Sequence, residues 1–116
     1  MNAFALELPG IEQIRLRFLD LLESRKSTIA QHALAAWDGE TAEGINDDLQ
    51  TARNLLHQIA GTAGTVGYAD LGMSAHECEG RIIDHLEGKY ADLAICPGEI
   101  MLCIDTFLGQ CDAISR

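Results

Sequence analysis

The sequence predicts an all-α fold, an up-down-up-down antiparallel four-helix bundle, and three observations support that prediction. Four long segments carry apolar residues at the three- and four-residue spacing of an amphipathic helix. The joins between these segments are short, which forces neighbouring helices to run antiparallel. The only two prolines, Pro9 and Pro97, both stand near expected helix starts. A chain of 116 residues suits one core, so we expect a single domain over residues 1–116.

The first two helices are predicted over residues 11–36 and 44–66. The stripe expected to be buried on the first contains Ile11, Ile14, Phe18, Leu21, Leu22, Ile29 and Ala33. The sequence Asp38-Gly39 is a stop signal for that helix, and Gly67 is expected to end the second. A short leading helix over residues 3–8 is a further expectation.

The third and fourth helices are predicted over residues 69–86 and 97–114. Gly88 is a stop signal after the third, and Pro97 suits the first turn of the fourth, where its missing N–H would have no partner. The apolar stripes expected to be buried are Leu71, Ala75, Cys78, Ile82 and Leu86 on the third helix, and Ile100, Cys103, Ile104, Phe107, Leu108, Cys111 and Ile114 on the fourth.

Charge and composition exclude several classes of function. The formal net charge is −10 and no basic stripe is visible, which argues against nucleic-acid binding and against binding to a membrane surface. No run of about 18 apolar residues and no signal peptide is present, so we expect a cytoplasmic protein. The four cysteines form no C-x-x-C pair, so we expect free buried thiols and no metal site of the common zinc spacing.

His57 stands out on the second helix. On a helical wheel the apolar residues Ile45, Leu55, Leu56, Ile59, Ala63 and Val66 fall roughly 160–260° away from it, so His57 lies at the centre of the solvent face. Gln50, Arg53, Asn54, Gly61 and Gly64 fall within about 60° of it on either side.

The two glycines on that face need an explanation. Each mid-helix glycine costs on the order of 0.8–1 kcal/mol relative to alanine, a cost that an exposed face does not require for folding. One interpretation is that Gly61 and Gly64 clear space for a partner to approach His57; the other is that they arose by drift without a function or allow close packing within the bundle. A phosphate loop is excluded, because no G-K-[ST] and no preceding strand accompany the glycines.

The segment HQIAGTAGTVG at positions 57–67, followed by Leu71, resembles the histidine phosphotransfer (HPt) family. The family pattern has an apolar residue two positions after the histidine, glycines four and ten positions after it, and an apolar residue four further on. Ile59, Gly61, Gly67 and Leu71 match these positions, and Cys78-Glu79 resembles the pair that often closes the motif.

The resemblance implies a four-helix bundle in which His57 carries a phosphoryl group, usually on Nε2. The group would come from an aspartate of a receiver domain in a hybrid sensor kinase and pass to the receiver domain of a response regulator. We expect a monomeric phosphocarrier without kinase activity and without a cofactor of its own, since Mg²⁺ would belong to the partner receiver domain. A neutral imidazole is a competent nucleophile for this transfer, which needs mainly positioning and neutralised oxygen charge.

One position departs from the family, which commonly has lysine three residues after the histidine where this chain has Ala60. Arg53 lies on the same flank one turn earlier and is predicted to supply part of the missing charge, with Gln58 as a neutral alternative. We therefore expect Arg53, Gln58, Gly61 and Gly64 to support the site.

Two other functions remain open at this point. The chain could be a non-catalytic helical interaction module, a degenerate HPt domain. It could also be a metal-binding bundle that uses His76, Cys78, Glu79 and His85, although no Glu-x-x-His or His-x-x-x-His spacing occurs. His32 and His85 are predicted to be structural and His76 to be exposed. The acids Glu77, Glu79, Asp84 and Glu87 are predicted to form a solvated face.

Overall fold

The computed structural model describes residues 10–114, and in that range the chain forms four α-helices and no strand. The helices are α1 (Ile11–Trp37), α2 (Ala42–Ala63), α3 (Ala69–Leu86) and α4 (Gly98–Ile114). Each helix packs against its neighbour in sequence, and α1 also packs against α4, which closes a four-helix bundle. The predicted fold class is confirmed, whereas the leading helix expected over residues 3–8 lies outside the described residues.

The turn between α1 and α2 explains why these two helices stay close. Thr41 caps α2, and its hydroxyl oxygen accepts the backbone N–H of Gly44 at 3.0 Å. A Cβ on Gly39 would lie 2.5 Å from Cγ1 of Ile45, so only glycine fits where the chain passes over the start of α2. The connection between α3 and α4, residues 87–97, is one residue longer than the predicted bounds of these helices imply and is the longest of the three.

The end of α2 has the hydrogen bonds of a Schellman motif. The N–H of Tyr68 donates to the carbonyl of Ala63 at 2.8 Å, and the N–H of Gly67 donates to that of Gly64 at 3.3 Å. These two hydrogen bonds require a left-handed backbone conformation at position 67, and Gly67 has φ of +98°. The prediction that Gly67 ends the helix is therefore confirmed, although the last turn, after Ala63, is tighter than a regular α-helix.

The core lies along the predicted stripes with a few exceptions. The fully buried side chains of largest volume are Phe107, Leu22, Ile29, Ile45, Leu49, Leu56, Ile59, Ile82 and Ile104. Ile14 and Leu21 of α1 are exposed, contrary to the prediction. Leu21 precedes the buried Leu22, and consecutive residues point about 100° apart on a helix, so only one of the two can face the core.

Candidate functional site

His57 lies on the outer face of α2, where the helical wheel placed it. Its side chain is 72% exposed. The buried residues of the helix, Ile45, Leu49, Ala52, Leu56, Ile59 and Ala63, occupy the opposite side. The core contacts of these residues fix the helix, so the imidazole is held on a rigid element and remains open to a partner molecule.

The imidazole of His57 is bonded to a buried acid on the neighbouring helix. Its Nδ1 lies 2.6 Å from Oε2 of Glu79, whose side chain is only 7% exposed. A carboxylate can only accept hydrogen bonds, so Nδ1 carries the proton and donates it. In the neutral ring Nε2 is then left with a free lone pair, because the bond at one ring nitrogen decides the protonation of the other.

Glu79 corrects the prediction that it belongs to a solvated acidic face. It is the one charged residue that is buried in the described part of the chain. Its position explains the burial, because residues 71, 75, 79, 82 and 86 recur at helical spacing along the stripe of α3 that faces the bundle. That spacing was readable in the sequence, but the acidic neighbours of Glu79 concealed it.

Close packing of α2 against α3 brings the acid within reach of the histidine. A Cβ on Gly72 would lie 3.3 Å from Cβ of Ala63, so the two helix backbones approach closely at this level. Glu79 follows Gly72 by about two helical turns. The small residues at this crossing therefore help to set the distance between Glu79 and His57.

His57 and Glu79 share a shallow cleft of about 360 Å³ with a second histidine. The residues that line it are His57, Ala60, Gly61, His76, Glu79, Gly80 and Ile83. Nδ1 of His76 lies 3.6 Å from Oε1 of Glu79, and its side chain is 81% exposed, as the sequence predicted. Sequence reasoning gave His76 no part in the site, although it precedes Glu79 by three residues and so shares its helix face.

The glycines beside His57 do not pack against any other side chain among residues 10–114. A Cβ on Gly61 or on Gly64 would meet no atom within 4 Å. Close packing against residues 10–114 is therefore excluded for these two glycines, whereas Gly72 of α3 does pack closely against α2. The surface next to His57 is open to a partner.

The residues predicted to support His57 lie in different settings. Arg53 is half-buried one turn before His57, and its Nε is buried without a hydrogen-bond partner among the described residues. It does not line the cleft around His57, whereas Ala60 does. Gln58 is exposed, and its carbonyl accepts the hydroxyl of Thr62 at 3.3 Å.

The charge around His57 contrasts with that of the whole chain. The formal net charge is −10, yet the segment from Leu49 to Ala69 contains no aspartate or glutamate. Its cationic residue is Arg53. The face of α2 around His57 therefore contributes no acidic side chain of its own, and the acid nearest to His57, Glu79 of α3, is buried.

The other histidines and the proposed metal ligands are placed elsewhere. Nδ1 of His32 lies 2.7 Å from Oδ1 of Asp48, which confirms a structural role between α1 and α2. His85 is half-buried, but its Nε2 is buried without a partner among residues 10–114, so it is not the fully satisfied histidine that was expected. Among residues 10–114 no three potential metal ligands come together, so His76, Cys78, Glu79 and His85 do not form one cluster.

Comparison with known protein families decides the family. The model of the Hpt domain matches residues 13–108, which covers all four helices except the ends of α1 and α4. The chain belongs to the Hpt domain family. Hpt domains are phosphocarrier modules of two-component systems, not kinases, and they interact with receiver domains. Comparison with curated proteins and with solved structures found no match.

The residues that match the Hpt domain model include the candidate site. The family match includes the whole of α2 and α3, which carry His57 and Glu79. Within residues 10–114, no helix of this Hpt domain has the length and apolar character needed to cross a membrane.

Proposed function

We propose that His57 is the phosphorylated residue of this Hpt domain and carries a phosphoryl group between two receiver-domain aspartates. The observation that supports this most directly is the bond from Nδ1 of His57 to the buried Glu79, which leaves Nε2 as the free nucleophile on an exposed ring. No other histidine in the described chain combines exposure with a buried partner within hydrogen-bond distance.

The proposed transfer needs little beyond this pair of residues. The lone pair of Nε2 attacks the phosphorus of a receiver's aspartyl phosphate, the bond from phosphorus to the aspartate oxygen breaks, and the aspartate leaves as a carboxylate. The proton on Nδ1 stays in place, and the carboxylate of Glu79 balances the positive charge that the ring gains. In the second transfer another aspartate attacks the phosphorus, and the electron pair of the P–N bond returns to Nε2.

The surface around His57 supports a receiver domain as the partner. A receiver brings the reacting aspartate, an acidic pocket and Mg²⁺, so the Hpt domain needs no cofactor of its own. The absence of acidic residues from Leu49 to Ala69 lets that pocket approach. We propose that a hybrid sensor kinase supplies the donor receiver, that a response regulator supplies the acceptor, and that the domain acts as a cytoplasmic monomer.

Phosphotransfer from a panel of phosphorylated receiver domains tests the proposal. The wild-type protein should gain a label that is stable in base and labile in acid, and His57→Gln should gain none. His76→Gln is the matched control, because His76 is similarly exposed on the adjacent helix, and it should still be labelled. Equal labelling of His57→Gln and wild type would overturn the proposal. Tight binding to receivers without any label would instead identify a non-catalytic interaction module.

A further inference from the structure

Two thiols meet between α3 and α4. Sγ of Cys78 lies 2.7 Å from Sγ of Cys103, and both cysteines are free. This separation exceeds the roughly 2.0 Å of a disulfide bond by less than 1 Å. The sequence predicted that all four cysteines are buried, but Cys96 and Cys103 are only half-buried.

The two thiols differ in their access to solvent. Cys103 lines an open cleft of about 440 Å³ between α3 and α4, together with Ser74, Glu77, Arg81, Glu99, Leu102 and Thr106. Arg81 lines the same cleft, and its guanidinium donates a hydrogen bond to Glu77 at 3.3 Å. Because Cys103 lines this open cleft and Cys78 does not, Cys103 is the thiol that a dissolved oxidant meets first.

Cys78 lies behind Cys103 and is buried. Burial raises the pKa of the Cys78 thiol, and its hydrogen bond to Cys103 raises it further. A thiol in such a place reacts poorly with a dissolved reagent but is in contact with any sulfur intermediate that forms on Cys103. The pair therefore has one accessible member and one that can resolve the intermediate.

We propose that Cys78 and Cys103 are a modification site at which a small-molecule disulfide such as glutathione disulfide forms a reversible cross-link between α3 and α4. The thiolate of Cys103 attacks one sulfur of the reagent, the S–S bond breaks, and one glutathione leaves as a thiolate. Cys78 loses its proton and attacks the sulfur of Cys103, which releases the second glutathione. Two protons and two electrons pass from the cysteines to the reagent, which is reduced to two thiols.

The cross-link closes a loop that includes the longest connection of the bundle. Cys78 and Cys103 are 25 positions apart, and residues 87–97 lie between them. Restricting this loop in the unfolded chain should raise the Tm by on the order of 10 °C. Since the sulfurs are already in contact, the bond between His57 and Glu79 should persist. This inference is independent of the proposed phosphotransfer.

Incubation of the reduced protein with glutathione disulfide, followed by mass spectrometry, tests the site. The expected product has lost two hydrogen atoms and carries a cross-link between tryptic peptides 54–81 and 90–116, assigned to Cys103 by fragmentation. Dithiothreitol should reverse it, and Tm should rise in the oxidised form. Cys103→Ala should not form it, whereas Cys96→Ala, the matched control at a half-buried cysteine, should form it at the wild-type rate.

Three outcomes would overturn the proposal. One is a stable glutathione adduct on Cys103 with Cys78 still free, because it would show that Cys78 does not resolve the intermediate. Another is a covalent dimer as the main product, and a third is cross-linking through Cys96 or Cys111. Circular dichroism of Cys103→Ala and of a second variant, Cys78→Ala, verifies that loss of the cross-link reflects loss of a thiol and not of the fold.

Discussion

The carboxylate of Glu79 on α3 lies 2.6 Å from Nδ1 of His57 on α2, so a buried acid orients an exposed imidazole. The two side chains belong to different helices, and each helix is fixed by its own buried stripe. The bond therefore depends on how α2 and α3 pack, which includes the close contact at Gly72. Four predictions follow from this arrangement and from its surroundings.

Replacing Glu79 with alanine should slow phosphotransfer without abolishing it. A hydrogen bond to a charged group contributes about 1.5–3 kcal/mol, which corresponds to a rate roughly 10- to 150-fold lower. The proton of the neutral ring should also no longer be confined to Nδ1, which ¹⁵N NMR of the imidazole measures. Glu77→Ala, which removes an exposed acid from the same helix, is the control and should change neither quantity. Wild-type transfer and tautomer in Glu79→Ala would contradict a positioning role.

A larger side chain at Gly61 should slow phosphotransfer without lowering the stability of the fold. Because an added Cβ meets no atom within 4 Å, Gly61→Ala should raise the free energy of unfolding by about 0.5–1 kcal/mol. Gly61→Leu should also fold, but its bulk beside His57 should slow transfer from a receiver at least about tenfold, the equivalent of 1.4 kcal/mol of barrier. Gly109→Leu on α4, where a Cβ also meets no atom, should transfer normally. Undiminished transfer by Gly61→Leu would show that the glycine clears no docking surface.

The fold and the exposed position of His57 could be predicted from the sequence because both depend on local periodicity. The apolar spacing of α2 placed His57 opposite the core, and the structure agrees. The end of that helix was also predictable, because only glycine readily adopts the left-handed conformation at position 67.

The partner of His57 could not be predicted as easily, because it depends on contacts between helices. Glu79 lies at the helical spacing of the buried residues, but a carboxylate is usually exposed. Its acidic neighbours in the sequence therefore favoured the incorrect prediction that Glu79 belongs to a solvated face. The distance from Glu79 to His57 depends on how closely the backbones of α2 and α3 approach at Gly72. The contact of Cys78 with Cys103 likewise joins two helices, so it could not be predicted from the spacing of residues within one helix.

A large side chain at Gly72 should weaken the bundle and the site together. Gly72→Leu has to push α3 away from Ala63, and overpacking of this kind costs about 1–3 kcal/mol of unfolding free energy. Chemical denaturation measures the loss. Adding Ala63→Gly to the same chain should recover part of it, because it removes the methyl group that lies 3.3 Å from the new Cβ. Two fully additive losses would show that these positions are not in contact.

Removing the charge of Arg53 should shorten the lifetime of phosphohistidine and slow transfer, because Ala60 leaves the phosphoryl oxygens without the usual lysine. Charge pairs near the surface contribute about 0.2–1 kcal/mol, so the expected effect of Arg53→Ala is at most roughly fivefold. Adding Ala60→Lys to this variant should restore the wild-type values, since Ala60 lines the cleft that contains His57. Arg17→Ala, at an exposed arginine of α1, is the control. If Arg53→Ala behaves as wild type while His76→Ala is slowed, the charge comes from His76, the histidine that shares the cleft, and the role predicted for Arg53 is wrong.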